Sequence, residues 1–264
     1  MGIRVRSTLL DVLEWVEYAF QPAGEAPPDN VAYGHQRHSA TVVDDDANVP
    51  PKSCESDGII GLGARPVAVY TADCLPVLIA DTQQRHVAAV HAGLKGTLAG
   101  VLDRAVTRLC EAGSVPDALY VAIGPAIAPC CYELGEEMLT PIAQRVSGPQ
   151  AYCWHREQPR NSLAVRPQAI GTQNGIWFNL PQLATELLIQ AGVPAANIEN
   201  VGFCTYCMAE VRSSYRRNTY FNSGYQSRFS WIRRRDDKFS LFLTSRPLHY
   251  TYPITANARA KASR

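Results

Sequence analysis

The longest apolar pattern in the chain lies between Pro66 and Gly96. It predicts two strands, Val67 to Asp81 and His86 to His91, on either side of the polar turn Asp81-Thr82-Gln83-Gln84-Arg85. The first strand is broken at Cys74-Leu75-Pro76. Antiparallel pairing keeps the sum of partner numbers constant, so with 81 facing 86, His91 falls opposite Pro76 and beside Cys74. Further on, Leu98, Val101, Leu102, Ala105, Val106 and Leu109 recur at helical spacing and predict an amphipathic helix over 97–112, stopped by Gly113. A buried strand at Leu119–Ile123 follows. A second helix is predicted from Glu133 to Val146, with Glu133, Glu136 and Glu137 at its N-terminal end, and a third from Pro181 to Gly192.

The flanks are less regular. Residues 8 to 20 read as a strand after a short turn, Gln21–Asn30 as a loop, and Val31–Val43 as a strand broken around Gly34 that ends in Asp44-Asp45-Asp46. Cys54–Ala64 reads as a Gly-rich connection with one apolar piece, Gly58–Gly61, and Ser147–Gly175 has no period. Phe229–Ile232 is a last strand, and the tail from Arg246 has little to bury. The order of elements predicts a mixed α/β fold. With no repeat and no linker, one domain over residues 1–264 is expected.

Composition removes several function classes. The 264 residues carry a formal charge of +1, which offers no field for nucleic acid or an acidic membrane surface. The basic run Arg233-Arg234-Arg235 is followed at once by Asp236-Asp237. No apolar window approaches the roughly 18 residues of a membrane span, and Asp11, Glu14 and Glu17 argue against a signal peptide. A cytoplasmic location is expected. The eight cysteines, some in pairs such as Cys130-Cys131 and Cys204-x-x-Cys207, suit reduced thiols with local roles.

Cys74 beside His91 matches the preference of zinc for thiolate and imidazole, with a third ligand from another strand leaving one position open for water or substrate. That third ligand is sought at His35 or His38. Residues three apart on a flat strand face opposite sides, so one of the two at most can serve. The turn Ala92-Gly93-Leu94-Lys95-Gly96 puts backbone N–H groups and an ammonium beside the pair, where an anion would sit. Arg216 or Arg217 would complete an anion clamp. Cys204-x-x-Cys207 has no second C-x-x-C to partner it, and adjacent Cys130 and Cys131 are expected to diverge, so packing and loop hydrogen bonding are the expectation there.

Several linked motifs occur in order over about two thirds of the chain: Thr71-Ala72-Asp73-Cys74, His91-Ala92-Gly93-x-x-Gly96, the Gly- and Pro-rich run from Ile123 to Gly135 with Cys130-Cys131, Cys204-Thr205-Tyr206-Cys207, and Ser214-Tyr215-Arg216-Arg217. Together they resemble the YfiH, or laccase-domain, family. The resemblance extends to Gln36-x-His38 and Val42-Val43, and so selects His38 over His35. It implies a YfiH-like fold of mixed sheets layered with helices (α/β/β/α) and a zinc triad of His38, Cys74 and His91. It also implies phosphorolysis of purine nucleosides (adenosine, inosine, guanosine or methylthioadenosine) to the base and a pentose 1-phosphate, with adenosine deamination alongside. Gly93, Lys95 and Gly96, with Arg216, Arg217 and Arg228, would then bind phosphate or substrate, and Asp73 would act as acid/base or support a ligand.

The chain also departs from the family pattern. Leu94-Lys95 stand where the family usually has Trp-Arg, Ala126 where it has cysteine, and Ser227 where it has glycine before Arg228, and the N-terminal segment is shorter than the family's. An older family label, copper polyphenol oxidase, is the alternative, against which stand only six histidines and no H-x-H pair. A zinc-stabilised binding or regulatory protein with degenerate catalysis is a third reading, from a different class.

Overall fold

The computed structural model describes residues 5–45, 50–146, 153–166, 175–208 and 212–235. The tail from Arg246, the Asp236-Asp237 pair and much of the aperiodic stretch 147–175 lie outside them. The chain opens with helix α1 (Thr8–Asp11), capped by the Ser7 hydroxyl, and strand β1 (Val16–Phe20). Next come β2 (Val42–Asp44), β3 (Gly58–Gly61), β4 (Val67–Thr71), β5 (Leu75–Asp81) and β6 (Val87–Ala92). Helices α2 (Leu94–Ala99) and α3 (Val101–Glu111) lead to β7 (Leu119–Ile123), β8 (Glu133–Leu134), α4 (Leu139–Arg145), β9 (Trp154–His155) and β10 (Ile176–Phe178). Finally come α5 (Leu180–Gln190), β11 (Ile198–Asn200), α6 (Tyr215–Phe221) and β12 (Arg228–Arg234).

The hairpin β5–β6 forms the centre of a six-stranded mixed sheet of order β11-β7-β5-β6-β3-β2. Its register pairs Pro76 with His91, as the turn position requires. Alternation divides each central strand between two cores. Leu75, Val77 and Ile79 face α3 and α5, whereas Leu78 and Ala80 face an antiparallel sheet of order β1-β12-β4. Both faces are buried, so β5 reads as an unbroken apolar run. On the helical side Leu183, Leu187 and Leu188 of α5 are fully buried, each stabilising by about 2 kcal/mol. In depth the order is helices, six-stranded sheet, three-stranded sheet. This is the expected mixed α/β arrangement of sheets layered with helices, and Leu10 of α1 joins the core between the two sheets. No described helix is long and apolar enough to cross a membrane.

Four expectations are corrected. The break in Val67–Asp81 lies at 72–74, not 74–76, because Asp73 takes a left-handed backbone (φ 88) and sends β4 and β5 into different sheets. The helix over 97–112 is two helices hinged at Gly100 (φ 96), with Leu94 already in the first turn of α2. Glu133 lies in β8 rather than at a helix start, its carboxylate paired with Arg166 at 2.8 Å. Only the last two residues of the strand expected over Val31–Val43, Val42 and Val43, belong to a named strand. The N–H groups of Arg37, His38 and Ser39 go to the Asp57 carboxylate rather than to a ladder, and His38 adopts φ 58.

A three-donor centre and its cavity

Three segments converge at one end of the sheet pair. Cys74 follows the Asp73 reversal at the head of β5, His91 stands opposite Pro76 on β6, and His38 comes from the loop gathered around Asp57. One ligand atom from each lies within 4.8 Å of the other two. Cys74 Sγ is 3.7 Å from His38 Nε2, and the two imidazoles meet edge to face with centroids 4.7 Å apart. His35 is exposed and bridges to the Glu55 strand edge instead.

Asp57 organises the group, and it was not anticipated. Its Oδ1 accepts from His91 Nδ1 at 2.8 Å and from the His38 N–H at 2.9 Å, while Oδ2 takes the Ser39 hydroxyl at 2.6 Å. Burial pushes this carboxyl up, but the hydrogen bonds from His91, Ser39 and Arg37 outweigh burial and hold it well below the usual carboxylate range. The carboxylate therefore fixes the His91 tautomer with Nδ1 protonated and Nε2 free, the arrangement that orients a metal-ligating imidazole. The signal in the sequence was slight: one of two acids in a Gly-rich connection. Burial, and then the charge of His91, lower the pKa of His38, which favours the neutral, ligating form. Burial pushes the Cys74 thiol up to about 12.

The donor set fits a single soft or borderline divalent ion. Two imidazoles and a thiol are the ligands that zinc and copper prefer, and the backbone of Gly93 leaves the room they need. A Cβ at Gly93 would stand 2.8 Å from Cys74 Sγ and 2.8 Å from His38 Cδ2.

The centre opens on a cavity of about 420 Å³, within the ordinary size of a small-molecule site. Tyr70, Tyr132, Tyr215 and Tyr225 supply its aromatic wall and Arg216 its positive charge. The Arg216 guanidinium lies 5.4 Å from the Tyr132 ring and donates to the Glu133 carbonyl at 3.0 Å. Asp73 holds the first turn of α6 in place. Its Oδ2 accepts from the Arg216 N–H at 2.6 Å and the Ser214 hydroxyl at 2.9 Å, and its Oδ1 from Thr205 Oγ1 at 2.6 Å. Burial raises its pKa despite these bonds.

The other expected contacts lie elsewhere. Arg217 turns to the far side of α6, over Tyr206 and Phe221. Arg228 is buried in β12, donating to the Gln21 carbonyl at 2.9 Å. Lys95 is exposed and outside the cavity lining, and Gly96 serves packing, since a Cβ there would meet the Ser39 carbonyl at 3.0 Å. The expectation that Cys130 and Cys131 diverge also fails. A turn at 128–131 directs both inward, where they meet Cys204 and Cys207.

Donors, cavity and layered sheets together define an α/β protein in which three side chains that could hold a metal ion stand in the wall of a cavity. The chain belongs to the family described as multi-copper polyphenol oxidoreductase laccase, whose family model matches residues 4–233. It is 28% identical over 198 residues to adenosine deaminase RL5 from an unknown prokaryotic organism, covering 72% of this chain and 70% of that one. It is 32% identical over 167 residues to a purine nucleoside phosphorylase of Xylella fastidiosa strain Temecula1, covering 63% of this chain and 56% of that enzyme. The match therefore spans little more than half the length of the Xylella relative. Among solved structures, YlmD from Geobacillus stearothermophilus shares the fold with a TM-score of 0.66 at 23% identity, over 79% of this chain and 74% of that one.

Proposed function

We propose that the chain is a zinc-dependent purine nucleoside phosphorylase, with adenosine deamination as a second activity of the same cavity. One observation carries the reading: the His38, Cys74 and His91 donors open on a cavity that also holds an aromatic wall and Arg216. The names of the relatives, nucleoside phosphorylase and adenosine deaminase, support the substrate class. His38, Cys74 and His91 would hold the ion, which when bound supplies Lewis acidity at the cavity wall.

The side chains supply binding and orientation. Tyr132 offers its ring to a purine. Burial, and then the charge of Cys74, push its hydroxyl up to about 12, so it stays a hydrogen-bond donor at neutral pH. Arg216 faces the phosphate, held by Asp73 at its backbone and by Glu133 at its guanidinium. In phosphorolysis a phosphate oxygen forms the new bond to C1′ of the pentose as the C1′–N bond to the base breaks. The electron pair leaves with the base, and the proton carried by the phosphate ends on the base nitrogen. Asp73 is a positioning residue in this scheme, because all three of its bonds hold α6 and the 204–207 loop.

Copper remains the second reading, because two imidazoles and one thiolate also suit that ion. Multicopper oxidation needs further histidine clusters. Among the described residues the only groups of three or more donors are this one and the four cysteines. Incubation with inosine and phosphate, with pentose 1-phosphate and bound metal measured together, tests the proposal. Product formed in proportion to zinc supports it. Phenol oxidation proportional to copper without nucleoside turnover overturns it, as does zinc-loaded protein inert towards every purine nucleoside.

A further inference from the structure

Some distance along the chain from the three-donor centre, the Cys130-Cys131 turn and the Cys204–Cys207 turn bring four thiols together. All four Sγ atoms lie within 4.8 Å of one another. Cys131 and Cys207 are 3.3 Å apart, Cys130 and Cys131 3.6 Å, and Cys130 and Cys207 3.8 Å. With Zn–S near 2.3 Å, the edge of a tetrahedral sulfur shell is about 3.8 Å. The spacings therefore match one four-coordinate ion. A cluster of several irons would hold its sulfurs further apart, and no pair is joined as a disulfide.

Polar groups around the sulfurs supply a second, independent observation. Asn161 Nδ2 donates to both Cys130 Sγ and Cys207 Sγ at 3.3 Å, and the Ala128 N–H donates to Cys204 Sγ at 3.4 Å. N–H donors aimed at sulfur stabilise thiolates, which are the ligating form. Each segment is also set by its own backbone. Cys131 N–H and Tyr132 N–H both bond to the Ala128 carbonyl, Cys207 N–H and Met208 N–H to the Cys204 carbonyl, and Ala126 pairs with Cys204 across the two.

We propose that Cys130, Cys131, Cys204 and Cys207 bind one zinc ion in a closed, all-sulfur structural site. With four protein ligands it has no position for substrate. Its place in the fold gives it a task. Thr205, between two of the ligands, bonds to Asp73, and Ile127, just before the other two, donates to the Asp73 carbonyl at 2.9 Å. The ion would tie these loops into one rigid support behind the cavity.

Zinc counted by mass spectrometry in the full chain, purified under reducing conditions, tests this without reference to activity. Two ions per chain are expected, with one retained in Cys74→Ala. X-ray absorption at the zinc edge of Cys74→Ala should then show four sulfur neighbours and no nitrogen. Cys207→Ser should lose one of the two ions. Should that variant fail to fold, the absorption spectrum of Cys74→Ala decides alone. A Cys74→Ala protein free of metal, or with iron in place of zinc, or a zinc shell containing nitrogen, or a metal-free protein whose peptide map shows a Cys131–Cys207 disulfide, would overturn the assignment.

Discussion

The two cysteine-containing clusters differ in what they leave uncovered. His38, Cys74 and His91 offer three donors and face a cavity of about 420 Å³, whereas the four cysteines surround their centre with sulfur and are hydrogen-bonded from outside by Asn161 and Ala128. An incomplete ligand shell leaves an ion free to meet substrate, and a complete one spends every position on the fold. Mixed donors from three segments also need an organiser, which Asp57 supplies, while two tight turns organise themselves.

The sharpest way to break the contrast is Cys74→Ala. Nucleoside turnover should fall at least about a thousandfold with loss of one ion, while thermal unfolding moves little; unchanged turnover would remove the centre from the chemistry. The mirror experiment is Cys204→Ser. It should lower the midpoint of thermal unfolding by about 10 °C, equivalent to roughly 3–5 kcal/mol, with the three-donor ion retained; a midpoint unmoved in calorimetry would deny the cluster a structural role. Asp57→Asn lies between the two. It keeps every direct donor but weakens the hold on His91, and a 10–100-fold loss of metal affinity by competition with a chelator is expected. Arg216→Ala should raise the KM for phosphate about tenfold, whereas exposed Lys95→Ala should change it less than about twofold; steady-state kinetics with the order reversed would return the anion to the α2 turn.

The smallest effect concerns a carboxylate that belongs to neither centre. Burial pushes the Glu199 carboxyl up, but bonds from the Leu9 N–H and the Ser7 and Thr8 hydroxyls prevail and hold it below its ordinary value. A folded-state value below the unfolded one stabilises above the usual glutamate range, and this stabilisation is lost as pH falls through the folded value. Glu199→Gln should flatten that part of the acid-side stability curve without altering metal content.

The hairpin was legible because its register follows from one turn, and Cys74 and His91 came with it. Leu119–Ile123 and the third helix were legible for a similar local reason, an apolar run or period bounded by turn residues. His38 was legible only through family resemblance, since periodicity suggested a strand where a buried carboxylate gathers three N–H groups instead. Asp57 itself was hidden, because nothing local separates an acid that collects donors from one that faces water. The placement of Arg217 and Arg228 was hidden for a related reason: charge can be read in a sequence, but the direction in which a helix or strand points it cannot. The four-cysteine cluster joins segments more than seventy residues apart through two turns, and adjacent residues usually point away from each other.

The vacancy beside Gly93 is narrower than a methyl group, since the added carbon of an alanine would fall 2.8 Å from both the sulfur and an imidazole carbon. One of the tightest tolerances in the centre thus belongs to a residue that donates nothing. On the proposed reading, a substitution there would disturb the centre while leaving all three donors in the chain.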